Sequence, residues 1–494
     1  MMKITYAGGN AAGDASHLAV QGFSSTEILT AIQNGSGDLE LIGWTYNDGT
    51  MTRAPARATA GTANEVALAL LGRRAVTAVR SGSNKLLLIS WDAPTGLQSI
   101  TRLQPERPGE AGEASNIAIT AINSTTFVTA PLVTALRDGS GDLLLICWAL
   151  NADGTFTRLG DSNPAGKPKQ AGAVSLVTIT PVGNNIVVTA VRNGSGNLEL
   201  IAWRISEDYT TIHRLNPVGE TAGTVGEIAL TTFRDAETGQ AGRVVTAVQN
   251  GAGDLLLIAW KFDGTGFQRL GDTSTLPVNQ RPGTASHISI SPAGNAAGTF
   301  LTTMRRGSGD LELIAFTLDK NGGWIREADF GEREGTDVTE TVVSSFWGRA
   351  VSATRRAGFL NVSVWEVSTV QVTNTTAINQ WITSVLADPA RAHELKRNWM
   401  KLLKAELPLS NQQSESLALI AENDAKKLRA AVAMVVDNGG TIHIERKTQH
   451  SAGTLILQPK SLGNKTAELS VTVFHCTFNA HCRDWHCGWG PVRK

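Results

Sequence analysis

An all-β fold built from repeated sheets is what this chain predicts, and three observations predict it. One sentence, approximately T-A-V-R-N-G-S-G-D-L-x-L-I-x-W, recurs seven times in the first 370 residues. Its closing aromatics, Trp44, Trp91, Trp148, Trp203, Trp260, Phe316 and Trp365, are spaced by 47, 57, 55, 57, 56 and 49 residues. Each copy also centres on a glycine-bearing turn between two apolar runs. A period near 50 residues is that of a propeller or an array, not of an ordinary domain.

Each copy contains four strand-like runs. In the fourth they are Ser175 to Thr180, Ile186 to Arg192, Asn197 to Arg204 and Thr210 to Leu215. Asn193-Gly194-Ser195-Gly196 joins the second run to the third, and Asn-Gly between β-branched and leucine-rich runs signals a hairpin. The third run, Leu198 to Trp203, is apolar at nearly every position instead of alternating, so the strand is covered on both faces. Sheets sandwiched between neighbours around a channel have that property, and the fold predicted for residues 1–368 is a seven-bladed β-propeller.

The fourth run ends in a Thr-Arg-Leu-like element (Thr101-Arg102-Leu103, Thr157-Arg158-Leu159, His213-Arg214-Leu215, Gln268-Arg269-Leu270), followed by a crossover such as Gly219 to Gly223. Before the first hairpin, Ile4 to Gly9 and Ala15 to Val20 match a fourth run, a crossover and a first run. The seventh copy has three runs, Asp337 to Ser345, Arg349 to Arg355 and Leu360 to Val367, and then changes character. An amino-terminal strand is therefore expected to supply the missing outer strand and close the ring.

Residues 369–474 follow a different pattern, read as a small α+β appendage. Asp388-Pro389 starts a helix through Leu395, Trp399, Leu402 and Leu403. Pro408 ends it, Ser410-x-x-Gln413 caps a second helix, and Asn438-Gly439-Gly440 stops that one. Strand-like runs follow at Thr441 to Arg446, Thr454 to Leu457 and Glu468 to Phe474. The tail, 475–494, pairs three histidines with three cysteines: His475-Cys476, His481-Cys482 and His486-Cys487. Thiolate and imidazole are ligands that zinc and copper(I) select, and four of these groups would complete a tetrahedral site. The spacing lacks a Cys-x-x-Cys knuckle, so a disulfide with one free thiol, or a tail that is a modification target, stays open beside metal binding. A helical segment ahead of a Cys-, His- and Trp-rich terminus resembles the leader and core of a modified peptide.

Composition narrows the partners. With 44 basic and 44 acidic residues the net charge is zero, which gives no general affinity for nucleic acid or anionic membrane. No stretch is long enough to span a bilayer and no apolar run follows Met1, so a cytoplasmic protein is expected, signal-free export aside.

The turn ends of the sheets carry the candidate binding residues. The second run closes on Gln33, Arg80, Arg137, Arg192, Gln249, Arg305 and Arg355, and the turn then offers Asn34, Asp138, Asn193 and Asn250. Repeated Arg and Asn near loops suit sugar hydroxyls or a carboxylate. The competing reading pairs the arginines with turn acids such as Asp38, Asp142, Asp254 and Asp310, or with Glu40, Glu199 and Glu312. The anchor aromatics and Cys147, which stands where other copies carry Gly, Ser or Ala, read as packing. No His-Glu-x-x-His, Gly-x-Ser-x-Gly or Gly-x-x-x-x-Gly-Lys occurs, and His443-Ile444-Glu445 lacks the Pro-Cys-x-x-Cys of zinc deaminases. No catalytic residue and no required cofactor are expected.

In blade number, repeat length and glycine-turn-aromatic rhythm, the first 365 or so residues resemble the seven-bladed bacterial and fungal lectin propellers. The turn is not the Ser-x-Asp-x-Gly-x-x-Trp box of sialidases. The resemblance implies non-enzymatic, multivalent recognition of carbohydrate, with avidity from several weak sites. The alternatives are a protein-interaction scaffold whose His-Cys tail binds metal or is modified, and, last, a hydrolase working in the central funnel.

Overall fold

The computed structural model describes residues 2–369, apart from short connecting stretches such as 105–108, 123–130, 235–240, 294–297 and 332–336, and the strands within 441–475. The chain divides into two compact units, Lys3–Ser368 and a second comprising Met1–Met2 with Thr369–Lys494. The described residues are almost entirely strand, with two single-turn 3-10 segments at Thr273–Thr275 and Val278–Gln280.

The first two copies are built from β1 (Met2–Gly22), β2 (Glu27–Asn34), β3 (Asp38–Asn47), β4 (Thr50–Leu71), β5 (Arg74–Ser81), β6 (Lys85–Asp92) and β7 (Thr101–Leu103). Then come β8 (Gly109–Ala121), β9 (Pro131–Asp138), β10 (Leu143–Leu150), β11 (Phe156–Asp161), β12 (Val174–Gly183), β13 (Ile186–Asn193), β14 (Asn197–Ile205) and β15 (Ile212–Arg214). The last three copies hold β16 (Glu220–Arg234), β17 (Ala241–Asn250), β18 (Leu255–Phe262), β19 (Phe267–Asp272), β20 (Ala285–Pro292), β21 (Thr299–Arg306), β22 (Leu311–Leu318), β23 (Trp324–Gly331), β24 (Val338–Phe346), β25 (Arg349–Arg356) and β26 (Phe359–Thr369).

Every copy of the sentence forms an antiparallel hairpin, for example β13 with β14 in the register Thr189↔Ile201 and Arg192↔Leu198. The crossovers differ from expectation. β16 runs unbroken where a glycine-rich link was expected: its first residues pair with β14 (Leu200↔Glu220) and its later ones with β17 (Leu230↔Thr246). β4 and β8 do the same between earlier copies. An extended crossover keeps its backbone groups hydrogen-bonded on both sides of the step. The outer run of the fourth copy is correspondingly short. The buried Asn216 amide takes the place of further ladder bonds, accepting from the Ala202 N–H at 2.8 Å and donating to the Leu200 carbonyl at 3.0 Å.

Core packing joins successive copies rather than filling each one. Leu198, Leu200 and Ala202 of the fourth copy share a cluster with Val248, Ile258 and Trp260 of the fifth. Sheets apolar on both faces require such partners, which is why the third runs do not alternate. The first and seventh copies share a cluster too, with Ile28, Ile32 and Trp44 against Phe346, Val351 and Leu360. In the hydrogen-bonded strand order, β1 lies between β2 and β26. The Ala15 N–H donates to the Gly358 carbonyl at 2.9 Å, and the Tyr6 ring meets Trp365 edge-on at 5.5 Å.

In the second unit, β27 (Thr441–Thr448), β28 (Leu455–Leu462) and β29 (Thr466–His475) form a sheet in the order β27-β29-β28, with β27 parallel and β28 antiparallel to β29. The helices expected from Asp388 and Ser410 lie outside the described residues. So do Cys476, His481, Cys482, His486 and Cys487; His475 is the last residue of β29, opposite Thr448.

Candidate functional site

The turn between the second and third strands of a copy is held by its first residue. Asn193 Oδ1 accepts from the Ser195 and Asn197 amides at 3.0 and 3.1 Å, while its Nδ2 donates to Glu199 at 3.3 Å. Asn34 does the same with Ser36, Asp38 and Glu40. Asp138 accepts from Ser140 and Asp142 at 2.8 and 2.9 Å, and Asn250 from Ala252 and Asp254 at 2.9 and 3.0 Å. An Asx side chain that closes its own turn leaves that oxygen little capacity for a ligand.

The residue just before the turn behaves differently from copy to copy. Gln33 accepts from the Ser16 hydroxyl at 2.6 Å, and Gln249 donates to the Ala285 carbonyl at 2.7 Å. Arg80 lies 3.6 Å from Glu65, directly across the strand pair. Among the described residues, Arg355 has no hydrogen-bond or ion-pair partner, and the same holds for the three residues Arg137, Arg192 and Arg305; the Nε atoms of Arg192 and Arg355 are buried without one. Each of the three lies over the positive-φ glycine of its own turn. A Cβ at Gly141, Gly196 or Gly309 would come within 3.2, 3.7 or 3.7 Å of the arginine's Nη2.

Apart from Arg80, these arginines pair with no strand or turn acid among the described residues, and another scheme takes the place of that pairing. Glu40, Glu199 and Glu312 bind the arginine of the fourth run, Arg53 at 3.3 Å, Arg214 at 3.0 Å and Arg326 at 3.1 Å. Glu312 also holds Arg306, a turn residue. Where the third run carries leucine at that position, as Leu144 and Leu256 do, the fourth-run arginine turns to an acid three residues on, Arg158 to Asp161 and Arg269 to Asp272. The Glu side chain sits on the strand adjacent to its arginine, so it wins the guanidinium before the turn can.

A cleft of about 310 Å³ opens beside the third copy's turn, lined among others by Glu113, Leu136, Asp138, Ser140, Leu144 and Arg158. Glu113 sits on the crossover strand β8, with a carboxylate oxygen 2.8 Å from where a Gly139 Cβ would be. In the same copy Lys169 pairs with the turn residue Asp142, and that hydrogen bond raises the ammonium above its ordinary value. The cleft thus combines apolar floor, acid and base, the mixture expected of a small polar ligand site.

Sequence reasoning missed one recurrent contact. Glu65 and Glu227 each accept from a backbone amide of the next copy, Ile117 at 3.0 Å and Ile288 at 3.0 Å. Glu340 accepts from His17 and Leu18 at 2.9 and 2.5 Å. In each receiving copy the strand bulges at a residue with positive φ, Asn116 (51°), His287 (50°) or His17 (51°). The signal was there to read, since Glu at the third position of the first run is followed, one copy on, by Asn or His.

No group of three or more His, Cys, Asp or Glu able to hold a metal occurs among the described residues, and no helix there is long and apolar enough to cross a membrane. No family model matches the chain, and no curated protein matches it. Among solved structures it is similar to Saccharomyces cerevisiae Sqt1, at 15% identity and a TM-score of 0.44 over 73% of this chain and 98% of that one. It is also similar to the Aleuria aurantia lectin in complex with Fucalpha1-6GlcNAc, at 13% identity and a TM-score of 0.42 over 64% and 95%. A third likeness is to the Dos1 propeller, at 12% identity and a TM-score of 0.41 over 69% and 75%.

Proposed function

We propose that residues 1–368 form a seven-bladed ring, closed where β1 lies between β2 and β26, that recognises glycans without catalysing a reaction. What supports the ring is the core shared by the first and seventh copies, together with the Glu340 contact that repeats the contacts of Glu65 and Glu227. The observation that carries recognition is the set Arg137, Arg192 and Arg305, three of the four guanidinium groups at one repeat position, with Arg355, that no described protein acceptor uses. A donor-only group left open at the edge of a turn is suited to a ligand rich in oxygen acceptors. Equivalent weak sites on one ring gain apparent affinity through avidity.

A glycan array probed with the full chain tests the reading. Binding to at least one glycan class, weakened when the three arginines are replaced, is the expected result; a blank array at high protein concentration ends it. On sequence grounds we further propose the second unit as an effector or docking module, whose His475, Cys476, His481, Cys482, His486 and Cys487 take zinc or copper(I). Native mass spectrometry after purification with zinc should show a metal increment that Cys482→Ser with Cys487→Ser removes, and no increment in the parent chain refutes the site.

A further inference from the structure

We infer that Arg137, Arg192 and Arg305 are equivalent sites for carboxylate groups of an acidic glycan, an inference that rests on the recognition reading above. Three features of the turns lead to it. The Asx side chain is spent on turn amides in the third and fourth copies, so the guanidinium is what the turn offers to a ligand. Guanidinium has five N–H donors in a planar fork, no acceptor and a permanent charge, and its best complement is a carboxylate bound through two parallel hydrogen bonds. The third-run carboxylates of the fourth and sixth copies are committed elsewhere: Glu199 to Arg214, and Glu312 to Arg306 and Arg326.

The neighbourhood favours a sugar acid over a bare anion. The exposed Ser140 and Ser195 hydroxyls stand in the same turns as Arg137 and Arg192 and can exchange hydrogen bonds with ring hydroxyls. On the crossover side of the turn, Gly194 faces Ala173 and Gly307 faces Thr284, neutral residues that do not repel a carboxylate. In the third copy that place belongs to Glu113, whose charge opposes an anion but accepts hydroxyls, so this site should be the weakest of the three. With no net charge on the chain, a general polyanion attraction is not what brings the ligand in.

The test uses the full chain with polygalacturonate and with its methyl ester, which keeps the backbone and removes the charge. Polygalacturonate should bind, the ester at least about tenfold more weakly. The triple variant Arg137→Gln, Arg192→Gln, Arg305→Gln should lose about tenfold or more, the size expected for a charged hydrogen bond. Gln occupies this repeat position in the first and fifth copies as Gln33 and Gln249, so the variant should fold, and an unchanged melting temperature checks that it does. Equal binding of polymer and ester, full binding by a folded triple variant, or no binding of polygalacturonate each overturns the inference. Neutral glycans bound on the array would in those cases leave the recognition reading standing.

Discussion

The indole Nε1 of Trp203 donates to the Thr189 hydroxyl at 2.9 Å, and that hydroxyl donates onward to the Ile201 carbonyl at 3.4 Å. The same Trp-to-Thr bond joins Trp44 to Thr30, Trp91 to Thr77, Trp148 to Thr134 and Trp260 to Thr246, at 3.0 to 3.1 Å. In the seventh copy Trp365 uses Ser352 at 2.8 Å, and in the sixth Phe316 removes the donor while Thr302 keeps its carbonyl at 3.2 Å. The recurring Thr and Trp are thus one buried device, fixing the large side chain between two sheets and satisfying its only polar atom.

Thr189→Val should cost about 1–3 kcal/mol, because it strands a buried indole N–H. Trp203→Phe combined with Thr189→Val should cost less than the sum of the two single changes, since neither polar partner is then left alone. Denaturation midpoints in guanidinium chloride measure this; strict additivity would mean that the bond has no independent role.

Glu340→Ala should free the Leu18 amide. Its carboxylate is the acceptor for both His17 and Leu18, and loss of a charged hydrogen bond of about 1.5–3 kcal/mol corresponds to at least about tenfold faster local opening. Hydrogen exchange should quicken at Leu18 and remain unchanged at Ile117, which is held by Glu65. An unaltered Leu18 rate would show that the sheet alone holds β1.

Acid should weaken the joint between the first two copies. Burial would raise the Glu27 carboxyl, but hydrogen bonds from Arg73, at 2.7 and 3.2 Å, and from Ser24 and the Gly96 amide outweigh it and hold the group below its ordinary value. A carboxyl depressed in the folded state stabilises the fold above its unfolded pKa, and that contribution is lost as pH falls through the folded one. Melting temperatures of the parent chain should therefore drop more steeply below about pH 4.5 than those of Glu27→Gln, whose lower stability at neutral pH should change less with acid. Parallel curves would refute the assignment.

Cys147 should resist alkylation. Burial pushes its thiol up to about 12, and the side chain is fully enclosed among Val133, Ala135 and their neighbours. At pH 8 iodoacetamide should leave Cys147 untouched in the folded chain and modify it on denaturation, as peptide mapping would show. Modification of the native protein would place this strand at the surface.

Local pattern made the hairpins legible. The Asn-Gly turns, the apolar third runs and the buried anchor aromatics depend on residues close together in sequence, and a fifty-residue period repeats that information seven times over. Strand boundaries in the fourth copy were read to within a few residues for β12, β13 and β14, but β15 was overestimated because Asn216 replaces its ladder. The candidate binding position was read as one class of residue. It proved to be several, since whether an arginine is paired depends on its neighbours across the sheet.

By itself the sequence determined the hairpins, their turns and the apolar runs that become core, because turn chemistry and the glycine-turn-aromatic rhythm are contained within one repeat. Only the tertiary structure decided which arginines stay open. Glu199 and Glu312 reach the fourth-run arginine on the adjacent strand, while Arg192, opposite Leu198, and Arg305, opposite Leu311, are one residue out of step with them and so point to the other face of the sheet. Charge pairing is settled by distance through space, and a repeat read along the chain does not carry that distance.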